Sequence, residues 1–229
     1  MGLRWFRRLL WLCLGLGCLW FLWLLGWVLF WGWVNPGSTH FMELRLAELR
    51  EKNPKAALQQ QWVPYARISI HLKRAVIAAE DAKFVDHEGF DWDGIQKAIE
   101  KNEKKGRFVA GGSTISQQLA KNLFLSPSKN FWRKGNEVVI TLLLEQLWSK
   151  ERIFEVYLNV IEWGNGIFGA EAAARHYYGI SAARLGPEQA ARLAGMVPNP
   201  RFYDKNRNAP GLMRKTAIIL GRMPSAEIP

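Results

Sequence analysis

Acidic side chains crowd one short segment, residues 80–89, which follows an apolar stretch of the chain. Glu80 would close a helix whose apolar face carries Leu72 and Val76. A carboxyl group held against apolar neighbours has its pKa raised, which suits it to act as a general acid or base. The other interpretation is a solvated helix end whose charges only cap the helix. The segment alone leaves both interpretations open.

A glycine pair and two hydroxyl residues form a second segment, Gly111 to Thr114. Glycine lets the backbone approach a ligand closely, and a helix that opens at Ser113 or Thr114 would turn its free N–H groups toward an anion. Gln118, Lys121 and Asn122 would then share one polar edge of that helix. The alternative is an ordinary glycine turn followed by a helix cap.

Cations gather in a third segment, where Lys129, Arg133 and Lys134 precede Glu137. Arg133 and Glu137 are four residues apart, which is the spacing of a plain salt bridge on a helix surface. The same residues also suit a phosphate site with a carboxylate beside it, which could hold a divalent cation against a pyrophosphate. A fourth segment, residues 150–170, has a structural pattern in which Tyr157 faces a core.

Helical periodicity dominates the elements that must position these residues. Caps and apolar spacing predict helices at 42–61 (interrupted near 53–54), 69–80, from Asp91 or Asp93 to Ile99, from Ser113 or Thr114 to Leu123, and at 136–148, 149–160, 169–178, 187–196 and 211–223. No run of alternating strands occurs. The sequence therefore predicts an all-α domain, compact from about residue 62 to residue 222.

The N-terminus predicts a membrane anchor, because residues 9–34 contain no charged side chain. This run is too long for a signal peptide and no small-x-small cleavage site follows it. Arg4, Arg7 and Arg8 precede the run, so the positive-inside bias puts the N-terminus in the cytoplasm and the rest of the chain outside. The predicted organisation is a cytoplasmic tail (1–8), an anchor (9–34), a juxtamembrane linker and helix (35–61) and the main helical domain (62–229).

Composition narrows the partners without choosing among them. A formal net charge of +11 predicts an anionic partner, which could be nucleic acid, lipid headgroups or a phosphorylated substrate. Cys13 and Cys18 are the only cysteines and both lie in the apolar run, which excludes a disulfide framework and a cysteine-based metal site in this sequence. The anchor and the lack of an aromatic-basic stripe disfavour nucleic acid.

In this order and spacing, the four segments resemble the signature segments of the peptidoglycan glycosyltransferases, glycosyltransferase family 51. Those signatures read E-D-x-x-F-x-x-H-x-G, G-G-S-T-I-x-Q-Q-x-x-K-N, R-K-x-x-E and K-x-x-I-x-E-x-Y-L-N. A fifth segment, from Gly169 to Gly179, also matches, although Tyr178 stands where phenylalanine is usual. The resemblance covers about residues 62–203 and implies a lysozyme-like helical fold.

The resemblance implies that lipid II disaccharide units are joined by inverting β-1,4 glycosyl transfer, with release of undecaprenyl diphosphate. Glu80 would be the general base, and Glu137 would act on the donor side through a metal ion or the pyrophosphate. The substrate-binding set that it implies is Asp81, Phe84, His87, Ser113, Thr114, Gln117, Gln118, Lys121, Asn122, Lys129, Arg133 and Lys134. Within that set the four cations would neutralise the diphosphate, and Asp81, Phe84 and His87 would support the loop after Glu80.

The same resemblance leaves a divalent cation, magnesium or manganese, open as a cofactor and implies no other. The expected partners are lipid II, the growing glycan strand, membrane lipids and other cell-wall synthesis or division proteins. The expected location is the bacterial inner membrane, with the catalytic domain in the periplasm. We further expect Phe124, Leu125, Phe131 and Trp132 to dip into the bilayer, the alternative being that they pack in the core.

Two rival functions share part of the pattern. A lysozyme-like enzyme that cleaves glycan also needs a glutamate at a helix end, but it has no diphosphate to release and leaves the cation group unexplained. A non-catalytic cell-wall scaffold would not need both Glu80 and Glu137. Residues 126–129 match the S-x-x-K pattern of a transpeptidase, but no S-x-N or K-T-G follows, so we expect the monofunctional form.

Overall fold

The structure is a computed structural model that describes residues 2–107, 111–128 and 130–229. It divides into two compact units, one ending at Asn35 and the other covering Pro36–Pro229. The first unit is essentially one helix, α1 (Gly2–Trp33). Between Arg4 and Trp33 this helix is long and apolar enough to cross a membrane, which makes it a candidate anchor by length and composition.

The second unit is mainly helical, as the sequence predicts, but the helix predicted at 42–61 ends at Lys52 and Gln59–Gln60 form a strand instead. Its helices are α2 (His40–Lys52), α3 (Ile70–Glu80), α4 (Trp92–Lys105), α5 (Ile115–Phe124), α6 (Phe131–Leu147), α7 (Lys150–Val160), α8 (Ala170–Tyr178), α9 (Pro187–Met196), α10 (Pro200–Lys205) and α11 (Pro210–Arg222). A small sheet joins β1 (Gln59–Gln60), β2 (Glu162–Gly164) and β3 (Ile167–Phe168) in the order β1-β3-β2. β3 runs parallel to β1 and antiparallel to β2.

Polar side chains fix where the helices around the site begin. Ser69, Asp91, Thr114, Asn130 and Ser149 each accept a hydrogen bond from a backbone N–H in the first turn of the helix that follows. Four of these caps agree with the prediction. The fifth corrects it, because α6 begins after Asn130, five residues earlier than the predicted start at 136. The part of the third segment from Phe131 to Glu137 is therefore helical.

Large apolar side chains fill the core of the second unit, and Phe84, Phe154, Tyr157, Trp163 and Phe168 are fully buried there. Around them α3 packs against α9 and α11, while α5 packs against α6 and α7. α2 also packs on α5 and buries Phe41 and Met42, so the predicted juxtamembrane stretch is part of the compact unit. This packing brings the end of α3 close to one face of α5.

Candidate active site

Glu80 is the last residue of α3 and lines a cavity of about 160 Å³. The walls are mostly small or apolar: Ala78, Ala79, Ala194, Gly195, Pro198, Ile218 and Ile219. Lys215 and Arg222 of α11 supply the positive charges of the same cavity. Burial raises the pKa of the Glu80 carboxyl group, while a hydrogen bond from Gln118 and the charges of Lys215 and Lys121 oppose that rise.

Gln118 and Lys121 connect this cavity to the cationic segment. Gln118 Nε2 donates a hydrogen bond of 2.9 Å to Glu80 Oε2. Burial lowers the pKa of Lys121, and the charges that act on its ammonium group are those of Glu137, Arg133, Glu80 and Lys134. The structure thus places the two proposed catalytic carboxylates in the electrostatic environment of one lysine.

Glu137 is buried in α6 and both of its carboxylate oxygens are engaged. Arg133 Nη1 donates to Oε2 and Lys134 Nζ donates to Oε1. Among the described residues, no group of three or more His, Cys, Asp or Glu side chains could hold a metal ion. The described residues therefore do not form an all-protein metal site, and a divalent cation at Glu137 would compete with Arg133 and Lys134 for the carboxylate.

The loop after Glu80 is held by a buried carboxylate. His87 Nε2 donates to both oxygens of Asp81 at 3.0 and 3.1 Å, and Ile115 N donates to Asp81 Oδ2 at 2.9 Å. Gly89 N donates to His87 Nδ1 at 3.1 Å, which assigns the histidine proton to Nε2. Phe84, a residue of the same loop, is fully buried. Asp81 thereby joins the end of α3 to the start of α5, and His87 holds the Asp81 carboxylate in place.

Several residues of the expected binding set make internal contacts. Thr114 and Gln117 are buried in a reciprocal capping box, and Thr114 Oγ1 donates to the carbonyl of Gly89 at 2.7 Å. Asn122 Nδ2 donates to the carbonyl of Gln118 at 2.8 Å. These contacts hold α5 in place. Ser113 is exposed beside them, and Lys129 lies outside the described residues.

Two contributors to the site were not predicted from the sequence. Tyr157 was expected only to face the core, but its hydroxyl also donates to Gln118 Oε1 at 2.9 Å. Lys215 lies on α11, a helix predicted from its periodicity and outside the span of the resemblance. Only the tertiary packing of α11 against α3 and α9 shows that Lys215 faces Glu80.

Comparison with known proteins gives one consistent result. The family model described as transglycosylase matches residues 46–224. A protein of Dechloromonas aromatica is 77% identical over 226 residues, which cover 99% of this chain and 98% of its own. Proteins of Nitrosospira multiformis and an Azoarcus species are 63% and 64% identical, covering 99% of this chain and 98% and 97% of their own. All three are named biosynthetic peptidoglycan transglycosylase.

Proposed function

The chain belongs to the transglycosylase family, and we propose that Glu80 is the general base of its glycosyl transfer. The activity is that of a peptidoglycan glycosyltransferase, which polymerises glycan strands in cell-wall synthesis. The observation that carries the role of Glu80 is its placement in a small, mostly apolar cavity with ammonium groups beside it. Burial favours the neutral carboxylic acid that forms when Glu80 takes up a proton, and the neighbouring cations favour the ionised carboxylate that exists before this step.

The proposed substrates are a growing strand linked to undecaprenyl diphosphate as donor and lipid II as acceptor. The acceptor 4-hydroxyl oxygen forms a bond to the anomeric carbon of the donor while its proton passes to Glu80. The bond between that carbon and the diphosphate oxygen breaks on the opposite face, and the diphosphate keeps the electron pair. Attack from one face with departure from the other converts an α linkage to a β linkage.

Lys121, Arg133 and Lys134 support the departure of the diphosphate. They lie close enough to act on one another electrostatically, and two of them hold the buried Glu137. We infer that the diphosphate competes with Glu137 for these cations, so that Glu137 orders the cations while the site is free of substrate. Fixed cations aimed at developing negative charge stabilise the transition state without reorganisation.

The proposed location follows from α1 and its flanking charges. Arg4, Arg7 and Arg8 support an N-terminus in the cytoplasm and a domain on the periplasmic face of the inner membrane. Lipid II, membrane lipids and other cell-wall or division proteins remain the predicted partners, without nucleic acid. A phosphatase fused after Pro229 should be active only if that end is exported, and an inactive fusion that is stably produced would contradict this orientation.

The test of the proposed base uses purified full-length chain with labelled lipid II. The Glu80→Gln variant keeps the size of the side chain but has no basic oxygen, and Glu88→Gln, at an exposed acid in the same loop, is the matched control. We expect long, lysozyme-sensitive glycan from the parent chain and from Glu88→Gln, and none from Glu80→Gln with an unchanged melting temperature.

Other outcomes distinguish the rival functions. Polymer from Glu80→Gln at the parental rate would overturn the role of Glu80. An absence of polymer from every folded chain would favour a non-catalytic scaffold, and shortening of preformed glycan would favour a lytic enzyme.

A further inference from the structure

Two hydrogen bonds in series join a buried tyrosine to the proposed base. Tyr157 OH donates to Gln118 Oε1 at 2.9 Å, and Gln118 Nε2 donates to Glu80 Oε2, also at 2.9 Å. The three residues come from three helices, α7, α5 and α3. Tyr157 is fully buried, so its hydroxyl has no access to solvent as an alternative partner.

The chemistry of the three side chains fixes which group donates and which accepts in each of these two hydrogen bonds. An ionised carboxylate only accepts hydrogen bonds, whereas a side-chain amide can present either its oxygen or its nitrogen. Burial raises the pKa of Tyr157 well above its ordinary value, so the hydroxyl keeps its proton. When that proton is donated to Gln118 Oε1, the amide nitrogen must face Glu80. The flipped amide would set its oxygen against the carboxylate, with two acceptors facing each other.

We propose that Tyr157 is a positioning residue that acts on Glu80 through Gln118, by holding the amide in the orientation that donates to the Glu80 carboxylate. This inference rests on the proposed role of Glu80 as the base. Its consequence is that part of the desolvation of Glu80 is offset by a fixed neutral donor. A larger fraction of Glu80 is then ionised and able to take the acceptor proton near neutral pH.

The other charged groups around Glu80 do not depend on Tyr157. Lys121 reaches Glu80 from α5, Lys215 and Arg222 from α11, and Asp81 is its neighbour in the chain. The face of α9 that lines the cavity contributes Ala194 and Gly195, which carry no charge. A Tyr157→Phe variant therefore removes one hydroxyl, leaves these charges in place and releases the orientation of Gln118.

The test is the pH dependence of lipid II polymerisation by full-length Tyr157→Phe. A base works only when ionised, so the rate falls as pH decreases through the pKa of Glu80. Loss of the fixed donor raises that pKa, and we expect the acid limb to move upward by about half to one pH unit, which corresponds to one ordinary hydrogen bond. Activity near neutral pH should fall by up to about tenfold and recover at higher pH. A loss of the same factor at every pH would indicate only structural damage and would overturn the proposal.

Two further variants make the result specific. Tyr65→Phe is the matched control, because Tyr65 is also buried and its hydroxyl donates to the backbone oxygen of Pro229 at 2.8 Å. We expect this variant to keep the parental acid limb. Gln118→Leu should shift the limb without any change at Tyr157, and adding Tyr157→Phe to it should shift the limb no further. An unshifted limb in Gln118→Leu, or additive shifts in the double variant, would overturn the proposal even if Tyr157→Phe folds poorly.

The outcomes also distinguish the role of Tyr157 from the proposed role of Glu80 as the base. An active Glu80→Gln variant would exclude Glu80 as the base, and with it the proposed action of Tyr157. An inactive Glu80→Gln variant together with an unshifted Tyr157→Phe variant would leave Glu80 as the base and exclude only the action of Tyr157.

Discussion

At the scale of single residues, the proposed role of Glu80 as a base depends on how its carboxyl group becomes ionised in a mostly apolar cavity. Burial alone would keep the carboxyl group protonated, and an acid that already holds its proton cannot take one from a sugar hydroxyl. The charges of Lys121 and Lys215, on two different helices, oppose the rise in the pKa of Glu80 that burial causes, and so does the hydrogen bond from Gln118. The pKa of Glu80 still lies above its ordinary value, so we expect the acid limb of the rate to lie above the range of a solvated glutamate.

Lys215→Met should move that acid limb further upward. The substitution keeps most of the side-chain volume and removes a charge that lowers the pKa of Glu80. Because the pKa is higher, Glu80 becomes protonated at a higher pH as the pH falls, and activity is lost there. The expected shift of the acid limb is about half a pH unit or more. Lys215→Arg should stay near the parental limb, and so should Lys205→Met, which removes an exposed lysine from α10. A parental profile for Lys215→Met would exclude this role.

Arg133→Ala should destabilise the fold more than Lys134→Ala. The Arg133 side chain is 17% exposed, whereas that of Lys134 is 45% exposed, and both pair with the buried Glu137. Removing the buried partner leaves a carboxylate with only a solvated lysine, so the expected loss is about 2 kcal/mol in the free energy of unfolding. Lys134→Ala should cost less than about 1 kcal/mol. Urea denaturation measures both free energies of unfolding. Equal losses in the two variants would mean that Arg133 stabilises Glu137 no more than Lys134 does.

The sequence could predict most of these residues, but not those that depend on packing between distant helices. Glu80, Gln118, Lys121, Arg133 and Glu137 follow from the resemblance, because each belongs to a local segment of fixed spacing. Lys215 belongs to no such segment. Its position beside Glu80 comes from the packing of α11 against α3, which no local pattern encodes.

At the scale of elements, the site is built at helix ends that local chemistry fixes. Ser69, Thr114 and Ser149 begin helices where the sequence predicts them, because capping is a short-range interaction. The start of α6 was predicted five residues late, because that prediction relied on apolar periodicity and not on the cap at Asn130. Its first turn places Phe131 and Trp132 in solvent, so the turn has no apolar face for periodicity to detect.

Gly89→Ala should be costly because the loop after Glu80 packs tightly against α6. Gly89 has a φ of +86°, and an added Cβ would lie 2.8 Å from Thr141 Cγ2 and 3.0 Å from Glu145 Cγ. Strain and overpacking together should lower the free energy of unfolding by about 2–4 kcal/mol. Activity should fall as well, since the same loop holds Asp81 and the start of α5.

Gly179→Ala separates the two causes. Gly179 ends α8 with a φ of +67°, but an added Cβ there would meet nothing within 4 Å. We expect a loss of only about 1 kcal/mol from backbone strain, with parental activity. Equal losses at Gly89 and Gly179 in urea denaturation would show that contact with α6 is not tight.

At the scale of the whole molecule, the substrates and the exposed aromatic residues suggest where the domain works. Phe131 and Trp132 are 98% and 81% exposed, which excludes the alternative that they pack in the core. They directly precede Arg133 and Lys134 on the first turns of α6. Aromatic side chains beside cations suit a membrane interface, where rings enter the acyl boundary and cations meet anionic headgroups. The proposed reaction, which joins two lipid-linked substrates, would need the cationic site at such a surface.

Replacing both Phe131 and Trp132 with serine should weaken the binding of the 36–229 fragment to vesicles that contain phosphatidylglycerol. This fragment is a compact unit with its own core, so it can be tested without α1. Burial of each large apolar side chain contributes on the order of 1–2 kcal/mol, so the double variant should bind at least about tenfold more weakly in a sedimentation assay.

Phe202→Ser provides the control for this experiment, since Phe202 is an exposed aromatic residue on α10, 47% exposed and away from the cationic segment in the chain. If Phe131 and Trp132 insert into the bilayer, Phe202→Ser should bind like the parent fragment, and raised salt should weaken all three fragments through their cations. Equal binding by the parent fragment and the double variant would assign membrane attachment to charge and to α1 alone. Polymerisation on vesicles would then have to tolerate serine at both positions, because the aromatic pair would have no part in bringing the cationic site to the proposed lipid-linked substrates.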